Sequence, residues 1–190
     1  MIKAIIFDCF GVLATDTWRA FLDALPEGID IKKAHELNHA VDAGLITQQE
    51  FLAGIKRITG SEPPDIEQMQ RGEIAKNAQL LDYIKELKKQ YKIGILSNIS
   101  SNWIRDYFLT PEEQKLFDVM VFSFEVGMTK PDPRIFWLSA ERLGSQLHET
   151  VLIDDIERYC QAARDEGMQA ITYENLQQLK ADLTVLLSHA

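Results

Sequence analysis

Cysteine is almost missing from this chain, with two in 190 residues, Cys9 and Cys160. Two cysteines cannot build a disulfide framework, and neither lies in a C-x-x-C pair or in a Cys/His spacing suited to zinc, so a reducing, cytoplasmic setting fits best. Long apolar runs are missing too. No stretch approaches the roughly 18 uninterrupted apolar residues that a membrane span needs. The opening MIKAIIFDCFGVL is interrupted by Asp8 and followed by no small-residue cleavage site, which makes it a strand rather than a signal peptide. Positive charge is the third scarcity: 20 Lys plus Arg stand against 29 Asp plus Glu, a net charge of −9, with no basic cluster. That argues against a nucleic-acid partner. It also means that any anion handled here must be met by local chemistry, because the global field repels it.

With 46% apolar residues and only 10 glycines and 6 prolines, the chain reads as one globular unit, long enough to bury a core without staples. Apolar runs of strand length recur at residues 4–7, 93–96, 119–122, 151–153 and 170–173. They are continuous rather than alternating, which implies burial on both faces, as in a parallel sheet covered by helices. Between them lie helical stripes: Leu80, Ile84 and Leu87; Phe136, Ala140 and Leu143; and Leu176, Leu179, Leu183 and Leu186. Asp132 followed by Pro133 supplies an N-cap and a first-turn proline. The fold class expected is therefore α/β, a Rossmann-like parallel sheet flanked by helices.

The gap between the first strand and the second is too long for one crossover, and only about residues 79–90 are needed as the connecting helix. The remainder is polar and helical in pattern. It includes the capping box Thr47-Gln48-Gln49-Glu50 after the turn at Gly44, and a breaker is expected at residues 61–64. An insertion directly after a strand end belongs over the functional edge of the sheet, as a lid. The expected division is a core of residues 1–14 and 78–190 with a small helical cap at 15–77.

The working groups of an open parallel sheet collect at the strands' carboxyl ends. Here those ends carry Asp8, then Ser97 with Asn98, then Asp154 with Asp155. Three converging carboxylates cannot all stay ionised without a cation, which points to a hard divalent metal such as Mg²⁺. An anion would still need donors, for which Ser97 and a lysine are at hand.

These residues fall into four ordered stretches: Phe7-Asp8-Cys9-Phe10-Gly11-Val12-Leu13, Leu96-Ser97-Asn98, Lys130-Pro131-Asp132-Pro133 with Phe136, and Ile153-Asp154-Asp155. In this order and spacing the chain resembles the haloacid dehalogenase superfamily, with a small helical cap after the first motif. The cap's Gly44-Leu45-Ile46-Thr47 through Phe51 resembles the family's as well. The resemblance implies a Mg²⁺-dependent phosphatase acting on a small phosphorylated molecule. Asp8 would be the nucleophile that forms an aspartyl-phosphate. Ser97 would hold the phosphoryl group, and Lys130 would neutralise its charge and orient Asp8. Asp8, Asp155 and the backbone carbonyl of Phe10 would ligate the metal, with Asp154 behind them. Asn98 would stand behind the site or touch substrate.

Two positions depart from the family pattern. Phosphatases of this superfamily usually read Asp-x-Asp, the second acid exchanging protons with leaving group and water, and here that position is Phe10. General acid–base help is worth roughly a hundred- to ten-thousandfold. Three readings follow: a phosphatase that tolerates the loss, a 2-haloacid dehalogenase, or a catalytically degenerate member with a binding role. Halide needs no protonation and the dehalogenases carry an aromatic residue here, whereas the Asp154-Asp155 pair suits a metal that they do not use. The second departure is Tyr159, where many relatives place asparagine. Other residues take plainer readings. Cys9 and Cys160 are expected to be buried packing residues, His35 and His39 a solvated helix face, and Trp18, Phe21 and Leu22 chiefly packing of the first inserted helix. His148 and His189 receive no role.

Overall fold

The computed structural model describes residues 1–60 and 74–188. Five strands, β1 (Ala4–Phe7), β2 (Lys92–Ser97), β3 (Val119–Phe122), β4 (Thr150–Asp154) and β5 (Gln169–Thr172), form one parallel sheet in the order β3-β2-β1-β4-β5. The expected strands are all present, with β2 and β4 a residue longer at each end and β5 starting and ending one residue earlier. The continuous apolar runs have the cause inferred for them. Ile5, Phe7, Ile95 and Ile153 pack on one face of the sheet, and Ala4, Ile6, Leu96 and Leu152 on the other.

Register decides where the polar strand ends fall. Phe7 lies opposite Ile95 on one side and Ile153 on the other. The next residues, Asp8 and Asp154, and Ser97 just beyond Ile95 therefore reach one rim. Successive strands leave β1 in opposite directions across the sheet, which opens the crevice that such sheets use for ligands.

Among the described residues, three helices occupy the insertion after β1: α1 (Thr17–Asp23), α2 (Ile31–Asp42) and α3 (Gln48–Thr59). Asp16 and Asp30 cap the first two, and the expected capping box of Thr47 and Glu50 opens the third. They share a small apolar cluster of Ala34, Val41, Phe51 and Ile55, with Trp18 and Phe21 packed against it. The two connections to the sheet run side by side, Ala14 bridging antiparallel to Lys76. Asn77 closes this junction. It caps α4 (Ala78–Leu87) and donates to the Val12 carbonyl and the Tyr173 hydroxyl. The breaker expected at 61–64, and His189, lie outside the described residues.

Beyond β2 come short helices α5 (Pro111–Gln114) and α6 (Ser123–Val126), then α7 (Pro133–Arg142), α8 (Glu157–Asp165) and α9 (Leu176–Ser188). α7 opens on the Asp132 cap and Pro133, as its sequence requires.

Candidate active site

β1 ends in a sharp loop in which the Cys9 carbonyl accepts from the amides of Leu13 and Ala14, both at 2.8 Å. This turn holds Asp8 at its mouth. Asp8 Oδ1 accepts from the Cys9 amide at 2.7 Å and from Lys130 Nζ at 2.9 Å, so Oδ2 is the oxygen left without a hydrogen bond among the described residues. Lys130 is only 1% exposed. Its ammonium also reaches Asp154 Oδ2 at 2.5 Å and lies 5.2 Å from the centre of the Tyr159 ring. The face of Tyr159 thus lies against the Lys130 ammonium, a cation–π contact.

The loops that carry these groups are tied by side-chain clamps. Asn98 Oδ1 accepts from the Lys130 amide at 2.8 Å while Asn98 Nδ2 donates to the Lys130 carbonyl at 3.0 Å. Ser123 Oγ does the same for Ile99, accepting from its amide and donating to its carbonyl. Asn98 therefore fixes the backbone of Lys130, and it also lines the adjoining cleft.

Asp8, Asp154 and Asp155 each offer a carboxylate oxygen within 4.8 Å of the others. Asp154 is fully engaged, its second oxygen accepting from the Ile156 amide at 2.9 Å. Asp155 is not. Its Oδ2 meets Arg19 of α1 at 3.4 Å, and its buried Oδ1 has no hydrogen-bond partner among the described residues. Ser97 Oγ, fully buried at the end of β2, has none either. Gly11 makes room for this arrangement. At φ +89° it holds a conformation that side chains resist, and a Cβ there would sit 2.5 Å from the Asp155 carboxylate.

Burial pushes the Asp8 carboxyl up to about 8 and the Asp154 charge pushes the same way, against the pull of Lys130. Burial and the Asp154 charge likewise raise Asp155 to about 6. Burial alone would discharge Lys130, but the two carboxylates hold it protonated well above the usual lysine range. The cluster resists its own negative charge, as a site shaped for an added cation does. Both cysteines are buried as expected, and burial lifts their thiols away from reactivity.

Phe10 stacks on Trp103 at 5.8 Å, and Trp103 stacks on Phe108 at 5.2 Å. The position at which the family pattern places an acid thus belongs to an aromatic row rooted in the core. Above the rim, a cleft of about 740 Å³ runs between the sheet and the inserted helices. Trp18 and Leu22 both pack in the insertion and line this cleft. The helix face expected to be merely solvated faces it as well: His35, Asn38, His39 and Asp42 of α2 line the wall, and His39 Nε2 meets Thr129 Oγ1 at 2.7 Å, tying the insertion to the residue before Lys130. The spacing of 35, 38/39 and 42 marks one helical face, but periodicity alone does not tell a solvated face from a cleft wall.

The family of haloacid dehalogenase-like hydrolases matches residues 2–167. Among individual relatives, a D-ribitol-5-phosphate phosphatase of Bacteroides thetaiotaomicron is 26% identical, the alignment covering 99% of this chain and 100% of that protein. A phosphatase of Mycobacterium tuberculosis, MT3486, is 30% identical over 89% of this chain and 86% of its own length. The fold is that of a haloacid dehalogenase family enzyme of Bacteroides thetaiotaomicron crystallised with magnesium and inorganic phosphate, with a TM-score of 0.65 at 24% identity, covering 94% of this chain and 99% of that one. Two longer curated proteins match in part: the chain spans 16% of the length of bifunctional epoxide hydrolase 2 of Sus scrofa and 7% of that of acyl-CoA dehydrogenase family member 10 of Mus musculus. No helix among the described residues is long and apolar enough to cross a membrane. The chain belongs to the haloacid dehalogenase-like hydrolases.

Proposed function

We propose that the protein hydrolyses a small phosphomonoester through an aspartyl-phosphate on Asp8. The observation that carries this reading is a pair of buried polar atoms without partners, the Ser97 hydroxyl and Asp155 Oδ1, on either side of an ammonium-bridged carboxylate. Unsatisfied buried polar groups are costly unless a ligand completes them. A hydroxyl donor suits an anion and a carboxylate oxygen suits a cation, so the pair fits a phosphoryl group beside a metal ion. The two phosphatases similar along nearly the whole chain support the same reaction class.

Each role follows from position. Asp8 Oδ2 is the free oxygen for attack on phosphorus, while Lys130 and the Cys9 amide hold Oδ1 and orient the carboxylate. Ser97 Oγ and the Lys130 ammonium bind and neutralise the phosphoryl oxygens, and Asn98 keeps Lys130 in place from behind while facing the substrate cleft. The all-oxygen set fits Mg²⁺, with Asp8, Asp155 and the Phe10 carbonyl as ligands and Asp154 behind them. A bound Mg²⁺ supplies the positive charge that lets a dianion approach these carboxylates. Residues 15–77 act as the cap over a core of 1–14 and 78–190, and a cleft of this size suits a small metabolite in a reducing, cytoplasmic setting.

The locked Phe10 ring favours one competing reading, displacement of halide from a 2-haloacid. A single set of assays separates the two. Phosphate release from a panel of sugar, polyol and nucleoside monophosphates is expected, lost in Asp8→Asn, lost in EDTA and restored by added Mg²⁺. Metal-independent chloride release from 2-chloropropionate, without phosphate release from any ester, overturns the phosphatase reading.

A further inference from the structure

Phosphoryl transfer to Asp8 needs a proton for the departing alkoxide, and Phe10 cannot give one. One other acid in the cleft is built to hold a proton near neutrality. Asp42, the last residue of α2, is 9% exposed and lines the same cleft as Asp8, Phe10 and Lys130. Three features work against its ionisation. It is buried; it sits at the negative end of a helix, where a carboxylate is disfavoured; and no cation among the described residues lies within ion-pair distance. Among the described residues, its side-chain hydrogen bond comes from its own helix, Asn38 Nδ2 to Oδ2 at 2.9 Å. A buried carboxyl without a cation partner, set in a cleft, is the kind of group that functional sites use.

The surroundings isolate Asp42 further. Burial lifts its carboxyl to about 7, against the Asn38 hydrogen bond and, more weakly, the field of Lys130, which both pull it down. On its own helix, His39 is committed to Thr129, and His35 is exposed. Of the charged side chains on the elements packed against α2, Glu50 is held in the Thr47 capping box, Lys56 and Arg57 are exposed, and Glu125 is paired with Arg105. Of the other cleft acids, Asp16 caps α1, and Asp23 and Glu36 are exposed.

Resting on the phosphatase reading, we propose that Asp42, carried by the inserted helices, is the general acid and base of the reaction in place of an acid at Phe10. An Asp8 oxygen bonds to phosphorus, the P–O bond to the alcohol breaks with its electron pair on the leaving oxygen, and the Asp42 carboxyl proton passes to that oxygen, directly or through one water. Alcohol, aspartyl-phosphate and the Asp42 carboxylate result. Water then attacks phosphorus and gives its proton to Asp42, the P–O bond to Asp8 breaks with its pair on Asp8, and phosphate leaves with both side chains restored.

The test compares leaving groups. Asp42→Asn keeps an oxygen to accept from Asn38 but cannot hold the proton. On alkyl monophosphates (D-ribitol 5-phosphate, sn-glycerol 3-phosphate and glucose 6-phosphate), kcat/KM is expected to fall about a hundredfold or more. On 4-nitrophenyl phosphate, whose leaving group needs no proton, the loss is expected to be at least tenfold smaller. The wild type supplies an independent measurement should the variant not fold: kcat/KM for the alkyl esters falls above about pH 7, a limb missing with 4-nitrophenyl phosphate. Equal losses on both ester types, identical pH profiles, or a wild type active on 4-nitrophenyl phosphate alone would overturn the role of Asp42 and leave the phosphatase standing. A wild type inactive on every ester overturns both.

Discussion

Lys130 carries a full charge at 1% exposure, between Asp8 at 2.9 Å and Asp154 at 2.5 Å. Burying an ammonium together with two carboxyl groups is costly, and the arrangement persists because each acid lies against the ammonium. Lys130→Met removes the only cation of the group and leaves two buried acids facing each other. A buried carboxyl raised above its unfolded value binds protons on folding, so its cost is absent at low pH and grows as pH rises toward the folded value. The variant is therefore expected to be destabilised by about 3–5 kcal/mol at pH 8, the usual cost of stranding a buried charge, and by clearly less at pH 5. Urea unfolding at the two pH values measures this, and a deficit independent of pH would show that lost packing, not charge, dominates.

At the scale of elements, the loop after β1 does the most with the fewest residues. Gly11 lets that loop pass against Asp155 where any Cβ would stand 2.5 Å from the carboxylate. Gly127, at φ +65°, has nothing within 4 Å of an added Cβ. Gly11→Ala is thus expected to displace Asp155 and weaken Mg²⁺ binding at least about tenfold, a typical effect of disturbing a metal's supporting groups. Gly127→Ala carries only the backbone strain, about 1–3 kcal/mol, and leaves Mg²⁺ affinity alone. Titration calorimetry on the pair separates them. The same loop shows how far the sequence could be read. Asp8, Ser97 and Asp154 with Asp155 were legible because continuous apolar runs end on them, and strand register is a local property that carries over to the rim. Lys130 was legible only through its motif, since nothing in Lys-Pro-Asp-Pro foretells an ammonium sealed between two acids. His39 and Asp42 were not legible. Their helix reads as a polar surface stripe, and what makes it a cleft wall is the placement of α2 beside Thr129, 90 residues away from His39.

The whole molecule is acidic, at −9, while its proposed substrate is a dianion. The opposition is resolved by distance. Lys130 is buried at the rim, while the cleft lining further out carries charges of both signs, Arg19, Lys32 and Arg158 beside Asp16, Asp23 and Glu36, within a surface that is acidic overall. A substrate thus meets repulsion from the surface over tens of ångströms and attraction only at the rim. Salt shortens the reach of surface charge to about 10 Å at 0.1 M and acts far less on a buried ammonium. Raising NaCl from 10 to 150 mM is therefore expected to increase kcat/KM for a phosphomonoester by about twofold through faster encounter, with kcat unchanged. Had the cleft focused the substrate electrostatically, kcat/KM would instead fall as salt is added. A fall in initial-rate measurements across that range would mean that the inserted helices steer the anion as well as enclose it.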